Sequence, residues 1–548
     1  MSRRSWRRLA LTLCAPLACL LLPELVLALA GVRAPRYAGF LDPGAYWVPV
    51  EVEGQPAGLQ RAFPRQYRYV PEPLPLFLRD KPADGWRVFV LGESSVAGLP
   101  YDVGCFTDWL RLRASAMLPG RTVEVVNAGN VGWHASDERT LLRECLEHEP
   151  DLLIWMVGHN EFVPHNVLTL RLEHERPVVH ALSVAASRSR TVRWLSERVA
   201  ALRPRRVSTF ADQLSSELPI YGPERPLIEE RFREATAGAV SDAQAAGVPI
   251  VLCTLARNLS ASPPSSSTFS EETRGDGDRR ARWDAAYEQG LLALDRGDAV
   301  GALAALRAAL ALDGRPAKLV YALGRALALS GRPALAAAAF EQALEQDAAP
   351  MRAQAWVERT IRDVARQSGA PLADVQARFD AAGAVGVAGG ELILDNCHPN
   401  LAGHELIASV LLTVLEQQLG VPFDRSLDIS REDGRRRLGL DEYESQVSGR
   451  VESLCLVKLA LYGGEVDDLW RQARASCAAA LVQDPADWEV SGSLGLLEAL
   501  AGNGERARSL IEQAMANNPY VRTSYVFYWR TEPRYERVFD AAGLDMAA

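Results

Sequence analysis

Two separated segments of this chain carry the residue types that acyl chemistry needs, and two more could assist it. Gly92-Glu93-Ser94-Ser95-Val96-Ala97-Gly98 follows the apolar run Arg87–Leu91. A serine in a tight turn between strand and helix has its hydroxyl exposed and its amide pointing into the site. That hydroxyl is a poor nucleophile at neutral pH and needs an adjacent base. Asp395-Asn396-Cys397-His398-Pro399-Asn400 supplies a candidate, His398, and Asp395 on the same turn can hold the imidazole and favour its charged form. Asn127-Ala128-Gly129-Asn130-Val131-Gly132 and Gly158-His159-Asn160-Glu161 end two further apolar runs. Asn160 offers an NH2 donor that carries no charge.

Plainer roles fit the same residues. Asp395 suits a helix N-cap, Gly132 a simple turn, and Asn160 a tie within its loop. Asp395 and His398 also make half of a metal site, for which His134, His159, His165 and His404 are available partners. No HExxH or His-x-His pair supports that reading. Cys397 reads as buried packing. Trp133, His134 and His159 fall near the expected pocket without a fixed role.

The elements that must position these residues are legible as apolar runs. Arg87–Leu91, Thr122–Val126, Leu152–Val157 and Pro249–Leu255 read as buried strands, with helices such as Thr107–Met117 and Ser136–Glu147 between them. Apolar strands alternating with helices predict a parallel sheet covered on both faces. In such folds chemistry collects at the carboxyl ends of the strands. Three of the four motifs stand at strand ends.

In this order the motifs resemble the blocks of the SGNH (GDSL-type) hydrolases over about residues 85–260 and 355–420. The family's Gly-Asp-Ser-x-x-x-Gly, second-block glycine, Gly-x-Asn-Asp/Glu and Asp-x-x-His-Pro match Gly92–Gly98, Gly132, Gly158–Glu161 and Asp395–Pro399. One departure is Glu93, beside the nucleophile, where the family carries aspartate. The resemblance implies a three-layer α/β/α sandwich and a serine esterase acting through an acyl-enzyme, with no cofactor and no metal. It assigns Ser94, Asp395 and His398 to catalysis, and the oxyanion hole to the amides of Ser94 and Gly132 and the side chain of Asn160. Acyl transfer to a cell-envelope carbohydrate would use the same residues. A degenerate hydrolase serving as a binding scaffold is the alternative in another class.

A repeat interrupts the hydrolase. Gly290, Ala302 and Ala309 recur as Gly324, Ala336 and Ala343, each 34 residues on, and Leu306 recurs as Phe340. Ala473, Ala480 and Pro485 recur as Ala507, Ala514 and Pro519 at the same spacing. Small residues at this period mark tetratricopeptide (TPR) helix pairs, which stack to present a surface to peptides or proteins. The first pair falls before the Asp395–His398 block, so it is an insertion, and the arrangement resembles bacterial TPR-containing SGNH proteins. The expected organisation is a signal-anchor or signal peptide at 1–31, an extended arm at 32–84 and hydrolase at 85–260. A flexible linker with the inserted pair follows at 261–352, hydrolase with the Asp–His block at 353–420, a connector at 421–452 and a TPR-like domain at 453–548.

The chain has 548 residues, 48% hydrophobic and 24% charged, with a net charge of −9. That composition excludes wholesale disorder and a collagen-like fibre and gives no global pull toward nucleic acid. Eight cysteines without a CxxC pair exclude a disulfide-built scaffold and a thiolate zinc site. Arg3, Arg4, Arg7 and Arg8 precede an apolar run from Leu9 to Gly31, interrupted by Pro16, Pro23 and Glu24. As a helix at ~1.5 Å per residue this run spans about 34 Å, bilayer length. The arginines predict that it anchors the chain with the body outside the cytoplasmic membrane; a cleaved signal peptide exports the body equally. A reporter fused after Ala548 should therefore be active when it requires the extracytoplasmic side, and activity confined to a cytoplasm-only reporter would contradict the orientation.

Overall fold

The computed structural model describes residues 22–29, 46–50, 58–61, 76–101, 103–162, 224–462 and 467–517, and single positions at 170, 176, 178, 189 and 191. The chain divides into two units, residues 1–80 with 168–207, and residues 81–167 with 208–548.

In the first unit, the segment expected as an extended arm contains a three-stranded antiparallel sheet. Its strands are β1 (Trp47–Val50), β2 (Gly58–Arg61) and β3 (Leu76–Leu78), in the order β1-β2-β3. The sequence hides these strands because three or four residues do not establish a period. Across the sheet, Trp47 on β1 meets Phe77 on β3 edge to face at a ring-centroid distance of 5.0 Å, and Tyr46 packs on Trp47 at 4.8 Å. Most of the expected span Leu9–Gly31 lies outside the described residues, and 22–29 is helical. Among the described residues no helix is long and apolar enough to cross a membrane.

The second unit is built on a parallel sheet of β4 (Gly85–Gly92), β5 (Thr122–Gly129), β6 (Leu152–Met156), β7 (Ile250–Cys253) and β8 (Leu372–Ala373). The order is β5-β4-β6-β7-β8. The fourth predicted strand is thus β7, and β8 was missed because two residues carry no pattern. Every residue of β4 is buried, as expected for a strand covered on both faces. Helix Phe106–Met117 packs on β5 and on helix Leu401–Leu419. Helices Ala135–Leu146 and Ala355–Ser368 pack on helix Glu224–Ala245. The architecture is the α/β sandwich that the motif order implied.

Register brings the functional segments together. Gly92 of β4 aligns with Gly129 of β5 on one side and with Met156 of β6 on the other. The segments leaving these three strands therefore emerge side by side. Packing there is tight enough to require glycine. A Cβ on Gly129 would stand 2.3 Å from the Ala97 amide, and one on Gly92 would stand 2.3 Å from the Met156 carbonyl.

Between β7 and β8 the chain leaves for two helical hairpins, Gly277–Asp295 with Ala299–Leu312 and Ala317–Leu329 with Pro333–Glu345. The recurring residues meet at the helix crossings. A Cβ on Gly290 would lie 2.5 Å from Leu306, and one on Gly324 would lie 2.7 Å from Phe340. Ala302, Ala309, Ala336 and Ala343 are buried. Further hairpins follow at the C-terminal end: Leu440–Tyr462 with Asp467–Gln483, and Trp488–Leu500 with Gly504–Asn517. Ala473, Ala480, Ala507 and Ala514 are buried there, while Pro519 lies outside the described residues. Helix Leu440–Tyr462 runs across the boundary expected at 452–453.

The stretch read as a flexible linker is pinned in place. The amides of Ser265 and Ser266 donate to the Asp347 carboxyl at 2.8 and 2.9 Å, and Ser270 donates twice to Asp313. Phe269 packs edge to face on Trp283. Serine and proline suggest a linker by composition, but buried carboxyls elsewhere in the insertion satisfy the backbone of this one. If close helix contact is what the repeat glycines provide, Gly290→Leu should destabilise the fold by about 1–3 kcal/mol by overpacking. Adding Leu306→Ala should recover part of that loss in urea titrations, and strictly additive losses would show that the two residues do not meet.

Candidate active site

Ser94 opens a one-turn helix, Ser94–Ala97, directly after β4. The base arrives from the far side of the insertion. Residues 392–400 form a tight loop in which Ile393 pairs with Pro399 and the Leu394 amide donates to the His398 carbonyl at 2.9 Å. Asn400 caps helix Leu401–Leu419. Asp395 therefore does not serve as that helix's N-cap, and its side chain is left for the turn.

The structure brings Ser94, His398 and Asp395 into one chain of hydrogen bonds. His398 Nε2 lies 2.8 Å from Ser94 Oγ, and His398 Nδ1 lies 2.7 Å from Asp395 Oδ2. Asp395 Oδ1 accepts from the amides of Cys397 and His398 at 3.0 and 2.9 Å. With a carboxylate on Nδ1, the proton sits there and the Nε2 lone pair faces the hydroxyl, the tautomer a general base requires.

Among the described residues, neither the Ser94 amide nor the Gly132 amide donates to a protein acceptor. The first amides of a helix have no partner within it, and Gly132 sits at φ +78° on an exposed turn. Asn160 follows β6, and its Nδ2 donates to the Trp133 carbonyl at 3.1 Å. That bond orients the amide group toward the segment holding Gly132.

Glu93, beside Ser94, holds the loop that follows β6. Its carboxyl is fully buried and accepts three amides of the neighbouring loop, Gly158 at 2.9 Å, His159 at 2.7 Å and Asn160 at 3.3 Å. One side chain beside the nucleophile thus holds the loop that carries Asn160. The departure from aspartate was visible in the sequence, but this role was not. Burial, and then the nearby Glu161 charge, push the Glu93 carboxyl up to about 8 against the pull of those amides.

The histidines considered as metal partners have other commitments. His134 caps helix Ala135–Leu146, its Nδ1 accepting from the Asp137 amide. His159 Nδ1 accepts from the Ala353 amide at 3.1 Å, and His404 Nδ1 accepts from Phe106 at 3.3 Å. Burial drives both His159 and His404 down to about 3, so each is a neutral ring at working pH. His165 lies outside the described residues. Asp395, Cys397 and His398 do cluster, their ligand atoms within 4.8 Å of one another. Both Asp395 oxygens are already committed to the turn, however, and Cys397 is buried packing as expected.

No protein-family model and no curated protein matches this sequence. Among solved structures, the chain is similar to an acetyl-xylooligosaccharide esterase from Geobacillus Stearmophilus, with 11% identity over 62% of this chain and 96% of the other and a TM-score of 0.29. It is similar to a lipase/acylhydrolase from Enterococcus faecalis, with 15% identity, 61% and 96% coverage and a TM-score of 0.25. A GDSL-like lipase from Bacteroides thetaiotaomicron is similar at 10% identity, 61% and 88% coverage and a TM-score of 0.25.

The Glu93 shift has a definite sign. Its carboxyl ordinarily titrates at 4.5 and in the fold at about 8, so the native state binds the proton more tightly. Its contribution to stability is complete below about 4.5 and is lost as pH rises to about 8. Glu93→Gln should remove this slope, so urea titrations should show wild type losing more stability than the variant across that window. Parallel pH profiles for the two proteins would contradict the assignment.

Proposed function

We infer that this protein is a serine esterase of the SGNH type. The observation that carries the reading is the unbroken path from Ser94 Oγ through the His398 ring to Asp395, at 2.8 and 2.7 Å. His398 Nε2 takes the hydroxyl proton as Ser94 Oγ attacks an ester carbonyl. Negative charge then develops on the carbonyl oxygen, and this reading assigns its stabilisation to the Ser94 and Gly132 amides and the Asn160 side chain. Losing one such donor typically costs ~2.7–4 kcal/mol of barrier. His398 returns its proton to the leaving alcohol, and an acyl group remains on Ser94. A water deprotonated by His398 then attacks that acyl-enzyme, and the acid leaves as the proton passes back to Ser94.

The inserted and C-terminal hairpins serve in this reading as TPR modules that bind a protein partner or a large substrate. Close packing at Gly290 and Gly324, 34 residues apart, supports it. The N-terminal arginines and apolar run support an exported body held at the membrane.

A panel of aryl esters of increasing acyl length tests the activity. Ser94→Ala should lower kcat by at least about 10³-fold while near-ultraviolet circular dichroism stays unchanged. His398→Ala should lose a similar amount, and the double variant little more, because residues acting as a unit are not additive. Wild-type turnover by folded Ser94→Ala would sink the assignment.

A further inference from the structure

Both ends of the helical insertion reach the catalytic turn itself. On the leading side, after β7, Asn258 is wholly buried. Its Nδ2 donates to the Asp395 carbonyl at 2.6 Å, and its own amide donates to the Asn396 carbonyl at 3.0 Å. Its Oδ1 accepts from Ala261 at 2.9 Å, so each polar group of the residue except its carbonyl has a named partner. On the returning side, the Met351 carbonyl accepts from Asn396 Nδ2. Two residues later, the Ala353 amide donates to His159 Nδ1, beside Asn160. Asn396 is thus gripped from both stalks, its main chain by the leading one and its side chain by the returning one.

The stalks are themselves fixed. Arg257, next to Asn258, forms a two-pronged pair with Glu341 of the last inserted helix, at 3.1 and 2.6 Å. Arg352, between Met351 and Ala353, donates to the Ser262 carbonyl at 2.9 Å. These ties join the leading stalk to the inserted helices and to the returning stalk.

We propose that the two stalks form a clamp that sets the position of the Asp395–His398 turn, with Asn258 and Asn396 as its positioning residues. Neither touches the reacting atoms in this assignment. They act by holding the turn, so that His398 Nε2 stays within reach of Ser94 Oγ. The insertion is then part of what aligns the base, in addition to any partner it binds. A misplacement of about 1 Å can cost on the order of a hundredfold in rate, so the clamp has room to matter. The kinetic arm of this proposal rests on the esterase reading, whereas the clamp itself is also readable without turnover.

The experiment uses the full-length chain with Asn258→Ala and Asn396→Ala. Hydrogen exchange is followed by mass spectrometry on the peptide covering 393–400, and kcat and KM are measured on an aryl acetate. The clamp predicts faster exchange in 393–400, with helix Leu401–Leu419 exchanging as in wild type. It also predicts kcat reduced about ten- to a hundredfold with KM within about threefold, as expected when the base is misplaced and substrate binding is left intact. General destabilisation would instead raise exchange in both peptides, and that result overturns the proposal. So does wild-type exchange in 393–400 for both variants. If wild type hydrolyses no ester, the esterase reading fails, and the exchange result still decides the clamp. Where Asn258→Ala does not fold, Asn258→Asp, which keeps the acceptor for Ala261 and loses the donor to Asp395, is read in the same way.

Discussion

Two atoms 304 positions apart in the chain must sit 2.8 Å from one another. A hydroxyl at neutral pH is inert without a base in hydrogen-bond range, so this one separation constrains everything around it. Ser94 is fixed from below by β4, an interior strand with a hydrogen-bonded neighbour on each side and no exposed residue. His398 is fixed by a loop closed on itself, through the Ile393–Pro399 bridge and the carboxyl of Asp395. The sheet supplies a rigid floor, and the turn supplies a rigid arm.

The loop that carries Asn160 depends on a third fixture, the carboxyl of Glu93. Because β4 and β6 are neighbours, a side chain at the end of one reaches the amides that follow the other. Three amides of one loop then converge on one buried group. Shortening it to aspartate would withdraw the carboxyl by about one C–C bond from a loop set to the longer reach. Nucleophile and donor loop are thereby tied through adjacent residues, 93 and 94.

How much of this was legible follows from the length scale of each signal. β4, β5, β6 and β7 stand where apolar runs placed them, since a buried strand writes itself as consecutive apolar residues. The 34-residue spacing of Gly290 and Gly324 was legible because a small residue at a helix crossing recurs with the unit that contains it. The strands β1 to β3 and β8 were not, being two to four residues long. Ser260–Ser270 misled because its backbone is satisfied by Asp347 and Asp313, distant in sequence. The roles of Asn258 and Asn396 were not legible, because the partners that hold them to the turn are main-chain atoms, which leave no mark on residue type.

The placement of the inserted hairpins also sets an order of events during synthesis. Ser94 and its strand leave the ribosome long before the turn that carries His398. At ~5–20 residues per second, the intervening 304 residues take roughly 15–60 s. Throughout that interval the nascent chain holds a serine with no base, and therefore no hydrolytic competence. The hairpins, being local in sequence, can fold inside the same window. The Asp395–His398 turn then emerges with both of its anchoring stretches, at Asn258 and Met351, already made, and the contact between Ser94 and His398 can form only after it.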